Sequence, residues 1–210
     1  MQQFIIVATA HFLALLSPGP DFFLITRTAL AQGWRQASAA CLGIALGNGI
    51  FIVAAFAGMA ALQRDAPAFI ALETAGCVYL LWLGYRFARY AGSTPLNIST
   101  TRVARAHMPR ASAWQTGLMG LLSAVLNPKN ALFYATLAVM LGTAHDKVGV
   151  RVFYGVWMFA VVLLWDLVVA ASIGNAAIRA RFARALPWLE RATGVVLFML
   201  GAGVIVARLV

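Results

Sequence analysis

The residues best placed to do chemistry in this 210-residue chain are charged side chains in two proline-containing breaks. The first break reads Ser17-Pro18-Gly19-Pro20-Asp21 and the second Asn127-Pro128-Lys129-Asn130, and each interrupts an apolar stretch. Asp21 offers a carboxylate for an ammonium group or for a proton. Lys129 offers a cation that could hold a substrate carboxylate or neutralise Asp21. Proline removes a backbone donor and clashes with the preceding turn. In hydrocarbon each freed polar group costs several kcal/mol unless protein or a water-filled cavity satisfies it. A half-helix starting at such a break presents orphan N–H groups and a positive dipole end, which suit an anion such as an amino-acid carboxylate. Simpler roles stand beside these: Asp21 as a helix cap, and Lys129 snorkelling to an interface.

Other polar residues lie deep in apolar sequence. Asp166 follows Trp165 in a stretch, 152–178, with no other charge. An acid at the centre of a membrane helix costs roughly 2.5–3.5 kcal/mol even on lenient insertion scales, so it should face the protein interior. There it could carry a proton, as could Asp21, or make a structural bond to another helix. Asn48 sits in Gly43-Ile44-Ala45-Leu46-Gly47-Asn48-Gly49, where it is polar glue or a substrate ligand beside a small-xxx-small packing face. His11 reads as a packing histidine before a proton relay, and Gly19, Gly117 and Gly120 as backbone geometry and close approach. Cys41 and Cys77 read as packing residues. The sequence holds no metal-ligand cluster, phosphate loop or hydrolase elbow. Neither a cofactor, a bound metal nor an enzymatic activity is therefore expected, and work would draw on an ion gradient.

The elements that must position these groups follow from composition. Hydrophobic residues make up 62% of the chain and charged ones 10%, with a mean hydropathy of +0.85. Soluble domains carry roughly 25% charged residues, so the solvent here must be lipid. About 20 apolar residues span a bilayer. Six spans are predicted near 2–26, 37–61, 68–89, 112–141, 151–174 and 188–208. The opening run from Gln2 to Leu16 lacks a basic leader and runs into the first break, so it reads as a mature helix.

The net charge of +10 would suggest nucleic acid in a soluble protein, but here it reads as basic membrane loops, with no nucleic-acid partner. With six spans, loops one, three and five share a side and hold eleven basic residues, against Arg64, Lys147, Arg151 and Arg208 opposite. The positive-inside rule puts those three loops in the cytoplasm and both termini outside. The connection 93–111 then divides the chain into halves 1–92 and 112–210, of three helices each. An odd number of spans per half makes them an inverted repeat with proline-broken first and fourth helices. Two echoes support it. Ser17-Pro18 and Asn127-Pro128 lie 110 residues apart, each a capping residue followed by proline, and so each a predicted helix start. Leu72-Glu73…Gly76…Leu83-Gly84 likewise echoes Leu189-Glu190…Gly194…Leu200-Gly201.

Taken together, these motifs resemble the LysE/RhtB amino-acid exporters, bacterial inner-membrane secondary transporters. The resemblance runs almost end to end. It rests on the two proline breaks, on Gly33-Trp34-Arg35 leading to Gly43-Ile44-Ala45-Leu46-Gly47, and on Gly76…Tyr79-Leu80…Gly84-Tyr85. Leu126-Asn127-Pro128-Lys129 with Ala131-Leu132-Phe133, and Gly194…Leu200-Gly201, complete it. Ala14 through Phe23 and Tyr79-Leu80-Leu81-Trp82-Leu83-Gly84-Tyr85 are most similar to the threonine branch. Where many members continue to a Leu-Pro-Gln-Phe-like segment, this chain reads Ala135-Thr136-Leu137-Ala138-Val139-Met140, as that branch does. The resemblance implies export of threonine, homoserine or a similar small neutral amino acid in exchange for protons. Ser17, Pro18, Gly19, Pro20, Asp21, Asn48, Asn127, Pro128 and Lys129 would line the substrate site. Asp21 and Asp166 are the proton-coupling candidates. A homodimer in the bilayer is compatible with this reading. The rivals are another amino acid or a metal cation as cargo, or a non-transporting membrane scaffold.

Overall fold

A computed structural model of the chain describes residues 2–61, 67–92, 111–142 and 148–209. Those residues form eight helices and no strand: α1 (Gln2–Leu16), α2 (Pro20–Gln32), α3 (Trp34–Ala61), α4 (Pro67–Arg89), α5 (Ala113–Val125), α6 (Pro128–Gly142), α7 (Val148–Ser172) and α8 (Ala176–Leu209). By length and composition, three helices can cross a membrane: those containing 34–57, 148–172 and 176–203. A fourth crossing follows if α1 and α2, bent by 53° at the first break, count as one span. The predicted connection 93–111 lies, except for Ala111, outside the described residues, as do Arg64 and Lys147.

Polarity is arranged inside out. Ile5, Leu46, Ile50, Val53, Leu164 and Val168 are exposed, while His11, Asn48, Asn127, Asp166 and Thr193 are buried. Cys41 and Cys77 are buried, as packing residues are.

Glycine sets which helices meet, and the register of each contact gives their relative direction. A Cβ at Gly43 would overlap the Gly117 carbonyl oxygen, one at Gly120 the Ala40 carbonyl oxygen, and one at Gly47 would lie 2.7 Å from the Ala124 Cβ. Rising numbers on α3 thus meet rising numbers on α5, so these helices run parallel from adjacent starts. Gln36 on α3 donates to the Thr116 hydroxyl at 2.7 Å and to the Ala111 carbonyl at 2.9 Å, tying those starts together. Gly49 faces Phe159, and Gly155 faces Ile52, so α7 runs against α3. A Cβ at Gly84 would lie 2.7 Å from the Gly194 carbonyl oxygen, and one at Gly201 3.0 Å from that of Cys77, so α8 runs against α4.

The helix boundaries depart from the sequence expectation in three places. The first span continues to Gln32, where Gly33 at φ 91° turns the chain straight into α3. A positive φ of this size costs any residue with a Cβ, so a one-residue corner needs glycine. The last helix begins at Ala176, not near 188, because Asn175 caps it: its Oδ1 accepts from Ala177 N at 2.9 Å and Ile178 N at 3.3 Å. Arg179, Arg181 and Arg184, predicted in a loop, therefore lie on helix, and Pro187 is carried inside it. Finally, Ser17-Pro18 does not start a helix. Gly19, extended at φ −140°, precedes α2, and Pro20 is its first residue. The matching helix starts are Gly19-Pro20-Asp21 and Asn127-Pro128-Lys129, so the predicted spacing of 110 becomes 108.

Candidate functional site

In this frame Asp21 and Lys129 occupy equivalent places, each the second residue of a half-helix opened by proline. Proline suits that first position, since its missing N–H would be unpaired there anyway. At the second break Asn127 caps α6, its Oδ1 accepting from Lys129 N at 3.1 Å. At the first break glycine supplies no side-chain cap.

The two charges reach across to each other's break. Asp21 Oδ1 accepts from the Ser123 hydroxyl at 2.6 Å, and Oδ2 accepts from Asn130 Nδ2 at 2.8 Å and Asn127 Nδ2 at 3.3 Å. Lys129 Nζ donates to the carbonyls of Ala14 at 3.0 Å and Ser17 at 3.1 Å, where α1 ends. Its ammonium also lies 5.5 Å from the Phe87 ring centroid. Thr193 on α8 donates to the Leu13 carbonyl at 3.0 Å. The last turn of α1, whose carbonyls lack intrahelical partners, is thus completed from α6 and α8. Asp21 keeps its place in the first turn of α2 and also binds side chains of the other break, while Lys129 reaches to the end of α1 and does not snorkel outward.

A small polar cavity of about 50 Å³ sits between the breaks. It brings together Ser17, Gly19, Asp21, Asn48, Asn127, Lys129 and Asp166 from the expected set. Pro18, Pro20 and Pro128 are not in its lining: they shape the breaks without facing it. Asn48 is buried and donates to the Ile44 carbonyl at 3.0 Å. Three buried polar atoms of the lining, His11 Nδ1, Ser17 Oγ and Asp166 Oδ2, have no hydrogen-bond partner among the described residues. Buried polar groups are normally paired, and exceptions call for an explanation such as strain, a functional role or an ordered water or ion.

Several members were missed by sequence reasoning. His11, read as a packing histidine, is buried, shares a 3.2 Å hydrogen bond with Tyr134 Oη through Nε2, and also lines the cavity. Asn130 and Tyr134 line it too, and Ser123 holds Asp21 from behind. Positions 123, 127, 130 and 134 follow helical spacing in the sequence, although the break divides them between α5 and α6. That polar stripe in apolar sequence was the available signal.

Outward apolar faces, inward polar groups and a helix-break cavity define a polytopic helical membrane protein with an internal polar site. The chain belongs to the LysE type translocator family, whose model matches residues 12–208. It is 28% identical over 211 residues to the threonine efflux protein of Salmonella typhimurium, covering 99% of this chain and 100% of that one. It is 30% identical over 134 residues to the leucine efflux protein of Klebsiella pneumoniae, covering 63% and 60% of the two chains. Over 123 residues it is 32% identical to the homoserine/homoserine lactone efflux protein of Salmonella typhi, covering 58% and 56%. No solved structure matches the chain.

Proposed function

We propose that this translocator exports a small neutral amino acid of the threonine or homoserine kind across the bacterial inner membrane, in exchange for protons. The observation that carries this reading is the crossed bonding of Asp21 and Lys129 around a cavity with unpartnered polar atoms. A zwitterion presents the two groups that such an arrangement can exchange. Its ammonium competes with Ser123 and Asn130 for the Asp21 carboxylate. Its carboxylate competes with the α1 carbonyls for the Lys129 ammonium, aided by the positive end of a half-helix. Relatives matching over the whole length being threonine efflux proteins supports the cargo class.

Ser17, Asn48 and Asn127 supply the remaining polar wall. Asp166, with one carboxylate oxygen unpartnered in the same cavity, is the site we assign to the coupled proton. The helix directions support six spans in two inverted halves, 1–92 and 112–210. Because α3 and α5 run parallel, the chain must recross between them, and α4 is long enough at about 35 Å. The contact of Gly84 with Gly194 is mirrored by that of Gly201 with Cys77, as a two-fold relation between the halves requires. Six spans with the basic loops in the cytoplasm place both termini in the periplasm.

Vesicles loaded with labelled threonine and given a proton gradient test this. Threonine flux above that of vesicles lacking the protein is expected, and Asp166→Asn should leave flux that no longer responds to the gradient. Absence of flux for threonine, homoserine and serine alike would overturn the cargo assignment.

A further inference from the structure

A second cavity lies on the other face of the breaks. Its volume is about 630 Å³, and its wall includes Tyr79, Trp82, Arg86, Tyr90 and Glu190. Pro18 and Pro128 form its boundary with the breaks, and Lys129 lines this cavity and the polar one alike. Small-molecule sites generally measure roughly 300–1,000 Å³, so this space accommodates an amino acid. The central cavity, at about 50 Å³, has room for little more than water in this conformation.

The chemistry of the wall is specific. The Arg86 guanidinium carbon lies 5.3 Å from the Trp82 ring centroid and 5.4 Å from that of Tyr90. A guanidinium stacked on aromatic faces keeps its N–H donors at its edge, in the fork that matches a carboxylate. Glu190 is anchored on the same wall, its Oε2 accepting from Gly92 N at 2.7 Å. Its negative charge and the aromatic faces both favour an ammonium group. Cation fork, acid and aromatic surface together fit an α-amino-acid zwitterion.

We infer that this cavity is a waiting site on the basic-loop side, where Arg86 holds the amino-acid carboxylate before Lys129 receives it at the breaks. This rests on the export reading above. Lys129 then belongs to both sites, passing cargo from a wide chamber to a tight one.

Threonine flux in vesicles of both orientations separates the two ideas. With the basic-loop side facing the added threonine, Arg86→Gln is expected to raise the half-saturating concentration about tenfold, as loss of a charge-assisted bond does. Maximal flux should stay within about twofold, and half-saturation from the opposite side should not change. Arg86→Lys, keeping charge but losing the fork, should fall between. Wild-type flux with unchanged half-saturation in Arg86→Gln overturns the waiting site alone, as does an equal rise from both sides. Absence of wild-type flux overturns the export reading and the waiting site with it. Should Arg86→Gln not reach the membrane, Arg86→Lys decides, and wild-type half-saturation in it is the overturning result.

Discussion

A lysine in the first turn of a helix sits at the unfavourable end of that helix's dipole. Lys129 escapes this by reaching back to the carbonyl end of α1, where a cation is favoured. Asp21 gains from the start of its own half-helix and from the amides of Asn127 and Asn130 opposite. These residues differ in what they can lose. Asp21→Asn removes the charge that would meet a substrate ammonium, so flux should fall roughly a hundredfold or more at normal membrane abundance. Asn130→Ala removes one of three donors and leaves the charge, so a fall of about tenfold is expected. Vesicle flux normalised to protein amount checks both, and equal loss in the two would show that the network acts only as a scaffold.

At the scale of elements, close helix approach rests on glycine. Gly194 admits α4 so closely that a Cβ there would lie 2.6 Å from Ala88 N and 2.7 Å from the Gly84 carbonyl oxygen. Backbone cannot yield as a flexible side chain can, so Gly194→Ala should cost about 1–3 kcal/mol and lower the melting temperature by about 3–10 °C. Gly203→Ala, with nothing among the described residues within 4 Å of its Cβ, is the control and should shift it by about 1 °C or less. A melting curve of purified protein reads both. The sequence made such elements legible wherever a local rule decides: proline beside a polar cap, apolar runs of spanning length, small residues at helical spacing. It misplaced the start of α2 because Ser17-Pro18 and Gly19-Pro20 obey the same local rule, and only packing against the second break selects between them. It missed Ser123 and Tyr134 because a hydroxyl in a membrane helix looks like filler until its partner across the bundle is known.

In the two-half arrangement proposed above, the halves would join through their centres: α3 lies against α7, α4 against α8, and each break bonds to the other. The orientation proposed above rests on the eleven basic residues that the sequence assigns to loops one, three and five. A phosphatase fused to the C-terminus should be active and a green fluorescent protein there dark, since only the former matures outside the cytoplasm. The reverse pattern would invert the molecule and move the Arg86 chamber to the periplasmic face.

The crossed bonding also dictates an order of assembly. When residues 1–92 have entered the bilayer, Asp21 and the end of α1 still lack the groups that complete them. Those groups arrive with residues 123–130, which are synthesised only after the long connection. The end of α1 is therefore completed by α6, with a further bond from α8. A chain stalled before residue 123 carries an intramembrane acid and α1 carbonyls without these partners, an arrangement that hydrocarbon penalises.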